Sequence, residues 1–293
     1  MRNPADGTRT QAVGAARKRI PNLFLHWVLA ALFFAFAISH LDDSGISQSL
    51  GSRNNEHQMF DGFAVAMSRR EHGLREYLAY PGLFDVVEQV VKDGGTFNEG
   101  LERALEITEP RKLGEPRPIR QWFGNLVFQD YLLLSTIIFG YQIEALFYLY
   151  FLLTFIAVLV GIYRFRHDAG LMALFSFVPI ALVLTVSATN LFAEPILLDA
   201  IHEMRFLGTL SVVPTLYLCL SIFDRRRITI VDGLLIVVQS LILLWAIAFR
   251  TSALLGPAAI LVCVVLAWVL MGSWAVNGKW ISGLPRRIWL TSG

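Results

Sequence analysis

Hydrophobic residues in this chain come in long unbroken blocks, unlike the one-sided stripes of a soluble helix or the alternation of a half-buried strand. A helix needs about 20 apolar residues to cross about 30 Å of hydrocarbon. Six blocks meet that need: Leu23 to Leu41, Ile143 to Tyr163, Gly170 to Leu191, Phe206 to Phe223, Ile228 to Phe249 and Leu254 to Gly272. A seventh, Leu126 to Gly140, is short and carries Asp130. The first block ends on two adjacent carboxylates, Asp42 and Asp43, which open a polar segment reaching Gly124. A charged pair is costly in hydrocarbon, so it marks a membrane surface.

The polar segment has helical grammar of its own. Asn54 or Asn55 can cap a helix whose Met59, Phe63 and Ala66/Met67 share a face. Tyr80-Pro81-Gly82 reads as a break, and a second helix with Phe84, Val87 and Val91 on one side stops at Gly94-Gly95. Thr96 and Glu99 form a capping-box pattern that opens a third helix carrying Leu101, Leu105 and Ile107, ending before Pro110. Apolar faces at helical spacing would be wasted in a disordered tether, so the segment is expected to fold as a small helical cap. It holds 14 acidic and 10 basic residues, a balance that excludes a nucleic-acid interface.

The chain of 293 residues is 55% hydrophobic and 16% charged, and its net charge of +2 says less than the placement of its cations. With six spans and a cytoplasmic N-terminus, Arg17/Lys18/Arg19, Arg164/Arg166, Arg225/Arg226/Arg227 and Lys279/Arg286/Arg287 all fall inside, leaving Arg205 and Arg250 in the short outer connections. Counting Leu126 to Gly140 as a span would put the last three groups outside. That segment is therefore expected to lie along the surface or re-enter it, anchored by Trp122 and Phe123.

The expected fold class is all-α: a polytopic helical membrane protein, at home in a bacterial inner membrane, with both termini cytoplasmic. Its divisions are a basic leader at 1–22, the first span at 23–41, the outer cap at 42–124, the surface-lying or re-entrant helix at 125–141, a five-helix bundle at 142–273 and a basic tail at 274–293. The leader and first block also resemble a signal peptide, with Ala35-Phe36-Ala37 at cleavage spacing; the length of the block favours an uncleaved anchor. Cys219 and Cys263 lie inside spans, so no disulfide framework is expected in the cap. Pro179, Pro214 and Pro257 are placed to kink spans.

Three groupings can carry chemistry. Asp42 and Asp43, with Glu56, His57 and Asp61 beyond them, can supply a general base or hold a divalent metal at a partly desolvated interface; a plain charged stop explains the pair equally. Asp199, His202 and Glu203, at spacings of three and four, would share a helix face and can hold a metal or a phosphate-bound cation; a solvated loop helix that binds nothing shows the same spacing. The third set, His26, Asp130, Glu144 and Asp232, lies in or beside spans, where ionisable groups default to function unless they reach the interface. Haem ligation through His26, His40 and His202 is set aside because His26 falls near the inner surface. No phosphate loop, dinucleotide fingerprint, zinc-protease motif or serine elbow is present in the sequence, which excludes soluble-type ATPases and hydrolases.

One span, an acidic pair at its outer end, a loop of surface helices and then further spans: this layout resembles the N-terminal module of GT-C type glycosyltransferases. Locally, Asn55-Glu56-His57, Phe63-Ala64-Val65-Ala66 and Glu71-His72-Gly73-Leu74 are similar to the start of their first outer loop. Ile138-Phe139-Gly140-Tyr141, Ala145-Leu146-Phe147 and Tyr163-Arg164-Phe165-Arg166 are similar to the passage from their surface helix into the second span. The resemblance covers about half the chain. It implies transfer of a sugar from a polyprenyl-phosphate donor to an acceptor on the outer face, with Asp42 or Asp43 as base, Glu56 and His57 near the substrate and Arg205 against the lipid phosphate. Such enzymes usually have more spans than six. The competing expectation is a non-catalytic membrane subunit whose cap docks a partner protein in a membrane complex.

Overall fold

The computed structural model describes residues 23–39, 57–75, 77–107, 109–119, 127–178, 206–223 and 228–249, with isolated positions near 254–262. Helix dominates. In chain order the elements are α1 (Leu23–Ser39), α2 (His57–His72), β1 (Leu78–Ala79), α3 (Pro81–Lys92), α4 (Phe97–Glu106), a 3-10 turn (Pro110–Lys112), β2 (Arg117–Pro118), α5 (Phe128–Phe139), α6 (Ala145–Arg164), α7 (Ala169–Val178), α8 (Phe206–Thr209), α9 (Val212–Phe223) and α10 (Ile230–Phe249). The leader, most of the last apolar block, the tail and the second half of the Gly170 to Leu191 block lie outside the described residues.

Residues α2 to β2 make the cap. Phe60 and Phe63 of α2 pack on Phe97 of α4, and Phe60 meets Phe84 of α3 edge-on. Leu83, Val87, Leu101 and Ala104 complete this core. Local rules account for the helix starts. Pro81 occupies the first turn of α3, where its fixed φ suits the helix and its missing N–H goes unused, so the chain turns at Tyr80 and not within Pro81-Gly82. Thr96 and Glu99 form a reciprocal capping box at α4: the Thr96 hydroxyl accepts from Glu99 N–H, and the Glu99 carboxylate accepts from Thr96 N–H. β1 and β2 add one antiparallel pair, Leu78 opposite Pro118 and Ala79 opposite Arg117. Two residues on each side give no periodicity from which the sequence could announce it.

α5 crosses the start of α6. Tyr131 donates its hydroxyl to the Leu146 carbonyl (2.5 Å), while the Phe139 ring meets Tyr148. Eight residues of α5, about 12 Å at 1.5 Å per residue, are thus matched by only two residues of α6. A hairpin running back along α6 would have spread those contacts over two turns. With 12 residues, α5 is about 18 Å long.

The remaining helices alternate in direction. α6 begins beside the cap. α1 ends toward it, since Phe34 packs on Phe151 and Phe155, while His26 near its start bonds Ser176 of α7. The Tyr150 hydroxyl pairs with Thr209 near the cap, whereas Tyr217 meets Phe165 at the far end, so α8 and α9 descend with α6. α10 rises from Asp232, paired with Arg164, to Phe249, whose ring meets Tyr131. α8 and α9 are separate because Pro214 cannot donate to the Leu210 carbonyl and its ring crowds it; tighter turns at Leu210 and Ser211 take up the break.

α6 and α10 are long and apolar enough to cross a membrane, 20 residues or about 30 Å each. α1, α5, α7 and the stretch Leu207–Ile222 are apolar but shorter. The two long helices differ in setting. α6 is the central helix, 61% buried, and α7 comes so close that a Cβ on Gly161 would strike the Phe175 ring. α10 is only 22% buried and turns Ile230, Leu234, Val237, Leu241 and Leu244 outward.

Candidate functional site

Most of the residues singled out from sequence, Asp42, Asp43, Glu56, Asp199, His202, Glu203 and Arg205, lie outside the described residues; His57 is the first residue of α2. Among the described residues no three His, Cys, Asp or Glu side chains gather as metal ligands. The intramembrane candidates His26, Asp130, Glu144 and Asp232 are all described, and each has a partner on another element.

Asp130 and Glu144 join the cap to the bundle. Arg69 of α2 donates to Asp130 of α5 at 2.6 Å, and the Tyr77 hydroxyl approaches the other carboxylate oxygen at 3.5 Å. One residue on, Arg70 donates to the Thr136 carbonyl (2.8 Å) and lies over the Tyr141 ring, 4.9 Å from its centre. The Tyr141 hydroxyl donates to Glu71 at 2.9 Å. Burial first, and then that carboxylate, push the Tyr141 phenol well above its ordinary value, with Arg70 opposing. Asn98 of α4 takes the N–H of Ile143 (2.7 Å) and donates to Glu144 (2.9 Å), so a cap side chain finishes the start of α6. Gly62 of α2 lets Leu132 and Phe128 of α5 press against its backbone. Apolar packing, an ion pair and a cap for α6 together join the cap to the bundle.

The second polar group lies at the far end. Arg164 and Asp232 approach to 3.3 Å with side chains only 5% and 11% exposed. Asp232 also accepts from the N–H (3.0 Å) and hydroxyl (2.8 Å) of Thr229, which in turn accepts from Asp232 N–H, a capping arrangement that starts α10. Tyr217 of α9 lies within electrostatic reach of this pair. Farther up, Gln239 of α10, fully buried, donates to the Ala157 carbonyl of α6 at 2.7 Å.

A cleft of about 150 Å³ opens in the cap between Met67, Glu71, His72, Leu83, Ala104 and Leu105. That is room for one side chain.

Sequence reasoning took Arg164 only as a topology determinant and passed over Asn98, Tyr217 and Gln239. The available signal was a polar side chain inside an apolar block, which flags Tyr217 and Gln239; nothing local flags Asn98. No family model matches the chain, and neither a curated protein nor a solved structure is significantly similar to it.

Proposed function

We propose that this chain is a polytopic integral membrane protein of the inner membrane, with the cap outside, both termini in the cytoplasm and six spans. The observation that carries this is α10: a 20-residue apolar helix, neither N-terminal nor mostly buried, whose outward face is a row of aliphatic side chains. A soluble protein would bury that face; hydrocarbon is the solvent that suits it. Three features agree. α5 is too short to span and crosses the start of α6, as a surface helix does. The helices alternate in direction, so the cap lies at one end while Arg164 and Arg166 lie at the other, the end that the positive-inside rule makes cytoplasmic. Bilayer-facing residues are apolar, while Thr154, Ser211, Thr215 and Gln239 are buried within the bundle.

For its activity we propose a GT-C-like role: transfer of a sugar from a polyprenyl-phosphate donor at the outer surface, with Asp42 or Asp43 taking the acceptor proton and Arg205 facing the lipid phosphate. The support is the order of parts along the sequence together with a cap joined to the bundle by polar and apolar contacts, since a cap docked on the spans can hold an acceptor in register with a lipid-borne donor. The test is transfer of labelled sugar from a polyprenyl-phosphate donor in membranes carrying Asp42→Asn with Asp43→Asn. Lost transfer with normal insertion is expected; unchanged transfer removes the enzyme reading.

The cap cleft favours a second reading. Its volume fits one side chain of a docking protein, as the cap of a non-catalytic subunit would receive. Purification separates the two, because a subunit of that kind is recovered only with its partner.

A further inference from the structure

We infer that the cap cleft receives a lysine side chain of a partner protein, an assignment that rests on the docking reading of the cap. The cleft has a lining of two kinds. Met67, Leu83 and Ala104, each almost fully buried, give it apolar surface, whereas Glu71 and His72, from the last turn of α2, are polar. Contacts outside the cleft hold the Glu71 carboxylate in place: its Oε1 accepts from the Tyr141 hydroxyl at 2.9 Å and lies 3.6 Å from Arg70 Nε. Among the described residues its other oxygen takes no partner. The His72 ring stands edge-on to Tyr80, and among the described residues neither of its nitrogens is hydrogen-bonded.

An aliphatic stem with a cation at its tip matches this lining. The stem lies on apolar surface while the ammonium, three donors with no acceptor, meets acceptors: the remaining Glu71 oxygen and, in a neutral ring, one nitrogen of His72. Charge points the same way. The described residues lining the cleft include a carboxylate and no lysine or arginine, and the cap as a whole holds 14 acidic against 10 basic residues, so an anionic side chain is disfavoured there. Arginine fits less well than lysine, because its planar fork pairs best with both oxygens of a carboxylate, and Tyr141 and Arg70 already occupy one. A volume of about 150 Å³ takes one such side chain, the form in which a docking protein anchors itself in a pocket.

Methyl NMR of the full-length protein in detergent tests it. The chain has six methionines, so labelling their methyl groups resolves Met67 in the cleft, identified by its loss in Met67→Leu, with Met172 in the bundle as the reference. N-acetyl-lysine methylamide, standing in for the partner's side chain, is expected to shift the Met67 signal saturably and leave Met172 unmoved. The norleucine analogue keeps the stem without the ammonium and should bind several-fold more weakly. Glu71→Gln retains an oxygen to accept from Tyr141 and should bring the lysine probe down to the norleucine level. No shift of Met67 with either probe overturns the lysine assignment and the docking reading of the cleft together. Norleucine or arginine analogues that bind as tightly as lysine, or a lysine response unchanged in Glu71→Gln, overturn the lysine assignment alone and leave the cleft to another side chain.

Discussion

Arg69 on the first cap helix and Asp130 on the crossing helix α5 meet at 2.6 Å, joining two segments that the sequence separates by the rest of the cap. Both side chains keep some solvent contact, so the pair is worth about 1 kcal/mol, well short of a buried salt bridge. Asp130→Asn should therefore lower the unfolding midpoint slightly and quicken limited proteolysis within the cap. A double-mutant cycle with Arg69→Gln, read by denaturant unfolding in detergent, measures the coupling; a value near zero shows that this ion pair does not help to hold the cap.

The Arg164–Asp232 pair at the opposite end is of the other kind. Removing one partner strands a buried charge, which typically costs about 3–5 kcal/mol. Arg164→Ala should sharply reduce the folded yield, and Arg164→Ala with Asp232→Ala should recover part of it. Fluorescence-detected gel filtration of the variants compares them, and equal losses in single and double variants would show that the charges do not interact.

How far the sequence carried depended on distance along the chain. The Thr96-Glu99 capping box and the stop at Gly94-Gly95 are local, so three or four residues suffice to read them, and both stand in the structure. Tyr80-Pro81-Gly82 misled in detail because proline marks both breaks and first turns, and only the backbone distinguishes them. Among the described residues, two of the six expected spans, α6 and α10, have full bilayer length, while the Phe206 to Phe223 block is divided at Leu210-Ser211. Partners were not legible at all. Asp130, Glu144 and Asp232 drew attention as single charges in apolar surroundings, but Arg69, Asn98 and Arg164 become their neighbours only after the helices pack.

Gly161 makes a packing prediction. Any side chain there strikes the Phe175 ring, which is itself stacked on Phe165. Gly161→Leu should destabilise the fold by at least about 1–3 kcal/mol, the usual cost of overpacking a core. Thermal unfolding in detergent checks this, and an unchanged midpoint would show that α7 can shift away from α6.

Tyr141 predicts a pH dependence. Its phenol is raised in the folded protein, by burial and then by Glu71, so above the ordinary value of about 10 the unfolded chain loses a proton that the folded chain keeps. Tyr141 therefore contributes stability fully below about pH 10 and loses it as pH rises beyond. Tyr141→Phe should flatten that part of the stability profile between about pH 10 and 11.5, as measured by denaturant midpoints. The same slope in both proteins would assign the effect to other groups.

The membrane arrangement is tested most directly by cysteine accessibility in intact cells. In the full chain with Cys219→Ser and Cys263→Ser, Lys92→Cys puts a thiol on the cap, and Asp168→Cys puts one in the exposed turn between α6 and α7. A membrane-impermeant maleimide should modify Lys92→Cys in intact cells and Asp168→Cys only after permeabilisation. Modification of Asp168→Cys in intact cells, or of both positions alike, contradicts the assignment of the cap to the outer face.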